Sequence, residues 1–344
     1  MDIASNLLGI GLSLAAAVVP AAVYALLVWW GDRYEKEPLG LLAITFVWGA
    51  IPAILISLVA EALFGVPLAG LQAERLANVL EASALAPIVE EVAKGMAILG
   101  LFLLARREFD GLLDGVAYGA LVGIGFGMTE NLLYFVSSFF EGGWADLGVV
   151  VFLRAVVFGL NHAFFTAFTG AGFGLARLAR RRWQRWLAPL LGLGAAMAFH
   201  GLHNLGVTLA DVSLAGFLMS LLTDFGGLLV VFVIVLVAWR QERQWIQEEL
   251  REEVDTLLTA TEYGAATTYG RRWQLWWKTR SQEGWAAARR QGRAHRLLTE
   301  LAFRKHRLRV FGPEHNVALV TEIGQLRQEI VALRGGDDSG TSIA

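Results

Sequence analysis

The sequence predicts an all-α polytopic membrane bundle of about seven transmembrane helices, followed by a helical cytoplasmic tail. Three observations carry this. The 344 residues are 56% hydrophobic with a mean hydropathy of +0.52, too apolar for a soluble domain. Apolar runs long enough to cross a bilayer recur from the N-terminus to residue 239. Basic residues gather in every second connection between those runs.

The first span covers residues 6–30. MDIASN before it holds no basic residue, which a cleavable signal peptide would have, so the span is retained. The others fall at 39–65, 82–105, 115–140, 148–176, 186–210 and 213–239. Arg33 and Lys36 follow the first span, Arg106 and Arg107 the third. Arg177, Arg180, Arg181, Arg182 and Arg185 follow the fifth, and Arg240 and Arg243 the seventh. The remaining connections hold only Arg75, so the N-terminus is expected outside and the C-terminus in the cytoplasm of a multi-pass cell-membrane protein. Trp29, Trp30, Trp183, Trp186 and Trp239 mark cytoplasmic span ends.

Composition shifts at Arg240. Residues 240–344 carry 17 of the 29 Lys and Arg, which predicts a solvated region and divides the chain into 1–239, 240–334 and a disordered 335–344. Leu297, Leu298, Leu301 and Leu308, then Val320, Ile323, Leu326, Ile330 and Leu333, recur at helical spacing and predict a small helical hairpin or bundle turning at Gly312-Pro313. The run RRWQLWWKTR, 271–280, suits either an anionic leaflet or a solvated packed helix. There is no cysteine, which excludes disulfides and thiolate chemistry, and a net charge of −2 points to no nucleic-acid partner.

Four spans hold polar groups that lipid rejects. The third has Glu90, Glu91 and Lys94, with the lysine four and three residues after the two carboxylates and within reach of either. The fourth has Glu130 and Asn131, the fifth Arg154, Asn161, His162 and Thr166, and the sixth His200, His203 and Asn204. Counted at about 1.5 Å per residue from the outer ends, Glu90 lies roughly 12 Å deep, Glu130 and His200 roughly 15 Å and His162 roughly 20 Å. Groups on four helices thus share one layer, as an interior site requires. Glycines in the fourth and fifth spans allow close backbone approach.

Two glutamates and two histidines suffice to activate water, through a carboxylate base and an oxyanion-stabilising imidazole or amide. The same groups can bind zinc, with His162, His200 and Glu130 as candidate ligands, although spacing does not compel a metal. A proton- or ion-coupled transporter is the rival reading, since carboxylates and histidines also form proton relays. No repeated halves or broken helices favour it. A non-catalytic relative that binds membrane partners is a third.

EEVAK (90–94), FGMTEN (126–131), HAFFT (162–166) and HGLHN (200–204) occur in that order and together resemble the motifs of the PrsW family of intramembrane proteases. DRYEKEP (32–38) and LLDGVAYGALVGIGFG (112–127) are similar to that family as well. Related CAAX prenyl endopeptidases carry histidine where this chain has Glu130. The resemblance spans roughly residues 30–210. It implies an endopeptidase that cuts a membrane-anchored protein, with a single-span anti-sigma factor as the family's substrate. It also implies Glu90 as the base that activates water, assisted by Glu130. His162 would position water or metal, His200 and Asn204 would form the oxyanion site, and Glu91 with Lys94 or Arg154 would hold the arrangement. Asn131 and Thr166 are supporting residues.

Overall fold

Helices account for every regular element among the described residues, which in this computed structural model are 2–34, 36–69, 73–106, 108–312 and 317–335; one isolated bridge joins Val254 and Leu258. The chain forms two units, 1–32 with 37–235, and 33–36 with 236–344.

In the first unit, α1 (Ile3–Gly31) starts where the Asp2 carboxylate accepts the Ser5 N–H at 2.8 Å. α2 (Leu39–Trp48) and α3 (Ile54–Ala69) join through a π-helical turn, Gly49–Ala53. Pro52 lies in that turn and has no N–H to give the ladder, so a widened turn absorbs the defect. A second π-helical turn, Glu81–Leu85, links α4 (Glu74–Leu80) to α5 (Ala86–Leu104). α6 (Leu112–Val151) leads through a third, Phe152–Val157, and a break at 158–160 to α7 (Asn161–Leu178). α8 (Arg182–Ala210) and α9 (Leu214–Leu250) complete the unit, α9 running on past its end.

α6 is two helices. Gly143 has φ +74°, a conformation side chains disfavour, and the chain doubles back there. Beyond it the returning arm and α7 pack antiparallel on residues 111–142. A Cβ on Gly115 would lie 2.1 Å from the Gly170 carbonyl oxygen, and one on Gly123 2.0 Å from that of His162. Glycine therefore lets these two backbones touch. The expected connection between the spans 115–140 and 148–176 contracts to a reversal at one residue. The expected span at 148–176 is interrupted just before His162, which sits in the first turn of α7, so a residue count from the span's start overstates its depth.

Five helical stretches among the described residues are long and apolar enough to cross a membrane: 3–31, 39–66, 112–178, 182–210 and 214–253. α5 is not among them, and it carries Glu90, Glu91 and Lys94 within 19 residues. Polarity runs inward: Leu63, Phe64, Leu222 and Phe225 are exposed, while Glu91, Lys94 and Thr166 are 0% exposed. That inversion is what lipid as solvent selects.

In the second unit, the 3₁₀ turn Arg251–Glu253 leads to α10 (Ala260–Ala266), α11 (Tyr269–Phe311) and α12 (Val317–Gly335). α11 breaks at Gly284 (φ +88°) and ends at Gly312 (φ +80°). Its core gathers Ile246, Leu250, Leu297, Leu298, Leu301, Ile323, Leu326 and Ile330. Most of both predicted stripes is thus buried, but Val320 is exposed. Glu253 is clamped by Lys305 at 2.7 Å and Arg327 at 2.5 Å. Pro313 and residues 336–344 of the expected tail lie outside the described residues.

Candidate active site

Four helices meet around Lys94. Its spacing on α5 brings the ammonium to 3.0 Å from Glu90 Oε2 and 2.8 Å from Glu91 Oε1. Across the helix boundary it donates to His162 Nδ1 at 3.1 Å and lies 3.7 Å from the centre of the Phe126 ring. A fully buried cation so placed needs all of these partners. Trp48 Nε1 donates to the Ala93 carbonyl at 3.0 Å and holds this turn of α5 against α2.

Glu91 lies innermost. Its Oε2 accepts from Thr166 Oγ1 at 3.0 Å, and its Oε1 faces His200 Nδ1 at 3.1 Å. The other nitrogen of His200, Nε2, lies 3.8 Å from Glu90 Oε2. The His200 ring stacks on Phe165, 4.7 Å between centroids and 11° from parallel. His162 is arranged in the same way: Nε2 faces Glu130 Oε2 at 2.8 Å, leaving Nδ1 turned inward. The two imidazoles meet edge to face at 5.1 Å.

Glu130 is held by Arg154, which also donates through Nε to Asn131 Oδ1 at 2.8 Å and lies 3.8 Å over the Tyr134 ring. Arg154 therefore pairs with Glu130 and not Glu91, because the turn 152–157 brings it opposite the α6 residues it faces across the Gly143 reversal. Asn204 donates to the Ala82 carbonyl at 2.8 Å, tying α8 to the turn 81–85. His203 meets Asp224 Oδ1 at 2.9 Å, joining α8 to α9, while its Nε2 faces Asn161 Nδ2 at 3.5 Å at the edge of the site.

One side of this cluster borders a cavity of about 310 Å³, whose wall includes Glu61, Glu90, Glu130, Arg154, His162 and Asn204. That is room for several waters. Ser57 and Glu61, one turn apart on α3, line it too, and Ser57 Oγ is buried with no hydrogen-bond partner among the described residues. Sequence reading passed over Glu61. Its signal is plain in hindsight, an acidic residue alone within the apolar run 39–65.

One ligand atom each from Glu90, His162 and His200 lies within 4.8 Å of the others. The residue types suit zinc. Each imidazole also has a carboxylate on its outer nitrogen, Glu130 behind His162 and Glu91 behind His200; this turns His200 Nε2 inward, while His162 Nδ1 accepts from Lys94 at 3.1 Å and would have to release it to bind a metal. Glu130, a candidate ligand by sequence, backs His162 on its outer nitrogen, and the grouping within 4.8 Å contains Glu90.

The sequence matches the profile of the PrsW family intramembrane metalloprotease over residues 37–240. Protease PrsW of Geobacillus kaustophilus is 30% identical over 198 residues, covering 56% of this chain and 77% of the relative. Protease PrsW of Halalkalibacterium halodurans is 27% identical, covering 56% and 81%, and that of Oceanobacillus iheyensis is 25% identical, covering 56% and 80%. No solved structure matches the chain.

Proposed function

The chain belongs to the PrsW family of intramembrane metalloproteases, and on that premise we propose that the site around Lys94 hydrolyses a peptide bond in a membrane-anchored protein. The observation that supports this best is the pairing of each imidazole with an outer carboxylate, in a cluster where His162, His200 and Glu90 each bring one possible ligand atom within 4.8 Å of the others.

In this reading Glu90, His162 and His200 hold a divalent metal, with zinc the ion their chemistry fits. Such an ion, when bound, supplies a Lewis acid and an acidified water. Formally, Glu90, Glu91 and Glu130 face two cations among the described residues, Lys94 and Arg154, so the cluster retains negative charge for it. Glu90, expected as the base, becomes a ligand. Glu130, whose Oε1 makes no hydrogen bond among the described residues, takes the proton of the attacking water and returns it to the leaving amine. Lys94 and Thr166 hold Glu91, and Glu91 orients His200. One amide hydrogen of Asn204 is given to Ala82, and the other remains for a substrate carbonyl.

We also propose seven crossings. The stretch 112–178 counts as two because it reverses at Gly143, and α5 counts as one because its charges face inward. The N-terminus is then outside, the C-terminus cytoplasmic and the membrane that of the cell. The protease region is 1–239, with 240–334 a cytoplasmic helical region. The substrate class is a single-span protein such as an anti-sigma factor. Membrane proteomes of cells with wild-type protein and with Glu90→Ala are compared; a fragment found only with wild type identifies the substrate, and identical fragment sets exclude hydrolysis by this site. Metal analysis before and after chelation tests the ligand set, and full activity without metal leaves a glutamate mechanism.

A further inference from the structure

We infer that the N-terminal arm of α11, residues 269–283, docks on the anionic headgroup layer of the membrane. This is independent of the peptidase reading and concerns residues beyond the family match.

The arm carries an aromatic and basic face that the protein leaves uncovered. Trp273 is 57% exposed and Trp277 41%, and they stand one turn apart with rings 5.4 Å between centroids. Trp285 is 56% exposed across the Gly284 turn. Arg280 is caged by indoles, 4.6 Å over Trp277 and 4.1 Å over Trp285. Arg271 and Lys278 are exposed too, toward the side of the arm that borders α10. Leu275 and Trp276 lie on the less exposed side of the helix. An amphipathic helix showing indoles and cations outward has the make-up of an interfacial helix. In water it would leave three indoles exposed, which a solvated packed helix does not require.

The arm is also held at the right level. Arg33, in the connection after the first span, lies 3.5 Å over the Trp239 ring and 5.6 Å from the Tyr269 ring. Arg272 donates to the Tyr34 carbonyl at 3.5 Å. Trp239 closes the apolar run of the last span, so the start of the arm is fixed beside a span end. Indoles belong at that depth, and the exposed cations of the arm complement acidic lipid.

The chain has no cysteine, so single-cysteine variants take a spin label at one place. Trp273→Cys, Trp277→Cys and, on the exposed face of α12, Gln328→Cys are each labelled in the full-length protein. Nanodiscs of phosphatidylcholine alone are compared with nanodiscs containing phosphatidylglycerol. In the acidic discs the labels at 273 and 277 should lose collisions with aqueous nickel chelate several-fold and gain collisions with oxygen, while the label at 328 stays water-exposed. Arg271→Glu with Lys278→Glu should return both labels to water. Labels at 273 and 277 as nickel-accessible as that at 328 in acidic discs overturn the inference, and leave the face to a protein partner.

Discussion

His200 Nδ1 lies 3.1 Å from Glu91 Oε1, the oxygen that Lys94 also holds at 2.8 Å. One carboxylate thus neutralises a buried ammonium and orients an imidazole. Glu91→Gln should keep the shape and lose the orientation. The expected outcome is a drop of about 10–100-fold in zinc affinity, with normal insertion, measured by titration with a competing chelator. Unchanged affinity would show that His200 needs no backing.

Lys94→Met removes the cation that Glu90, Glu91 and His162 share. It should destabilise by about 3–5 kcal/mol, because carboxylates are left buried without a partner. Adding Glu91→Gln should recover part of that loss, since the two changes act on one network. Thermal unfolding in detergent reads both. Additive losses would dissolve the network.

Gly123→Ala sets a methyl group against the His162 carbonyl, 2.0 Å away before relaxation. Forcing α6 and α7 apart should cost about 1–3 kcal/mol and displace the first turn of α7. Cleavage should fall more than stability does. Gly148→Ala, with open space around its Cβ position, is the control.

His295 on α11 is buried, and neither ring nitrogen has a hydrogen-bond partner among the described residues. Burial, with Arg272 nearby, pushes its pKa down to about 4. The neutral ring is favoured in the folded unit, so its stability is complete above about pH 6.5 and declines as pH falls toward 4. The loss over that window is of order 3 kcal/mol. Hydrogen exchange of residues 290–305 should quicken across it, and His295→Phe should flatten the response. Exchange that ignores pH in both proteins would contradict the burial argument.

A reporter after Arg185 or at the C-terminus should report cytoplasm, and one at Gly143 the outside. A C-terminus found outside would reverse the proposed topology and with it the side of the membrane on which the cavity opens.

The polar residues of the site were legible because lipid makes each of them costly. Glu90, Glu130, His162 and His200 stand out in an apolar sequence whatever the fold, and their helices follow from hydropathy. What hydropathy misses is local geometry. It gave 148–176 as one span, since Phe158-Gly-Leu160 is as apolar as its neighbours although the helix stops there. It gave no sign of the wide turns at 81–85 and 152–157, which set how Glu90 and Arg154 point. The allocation of partners also lay beyond it. Whether Arg154 meets Glu91 or Glu130 depends on where the chain reverses, and one glycine decides that.

The reversal at Gly143 makes chain length a measured quantity. Gly123 meets His162, Gly119 meets Thr166 and Gly115 meets Gly170, each pair equidistant from Gly143 along the chain to within one residue. The two arms therefore act as facing scales with a common zero. One residue inserted between 144 and 157 would slide every graduation on one scale. It would carry His162 past Gly123, take Arg154 from Glu130 and press side chains into backbone at each glycine. Insertions between the arms should be tolerated only where the added residues loop out at the tip, and never along the arms.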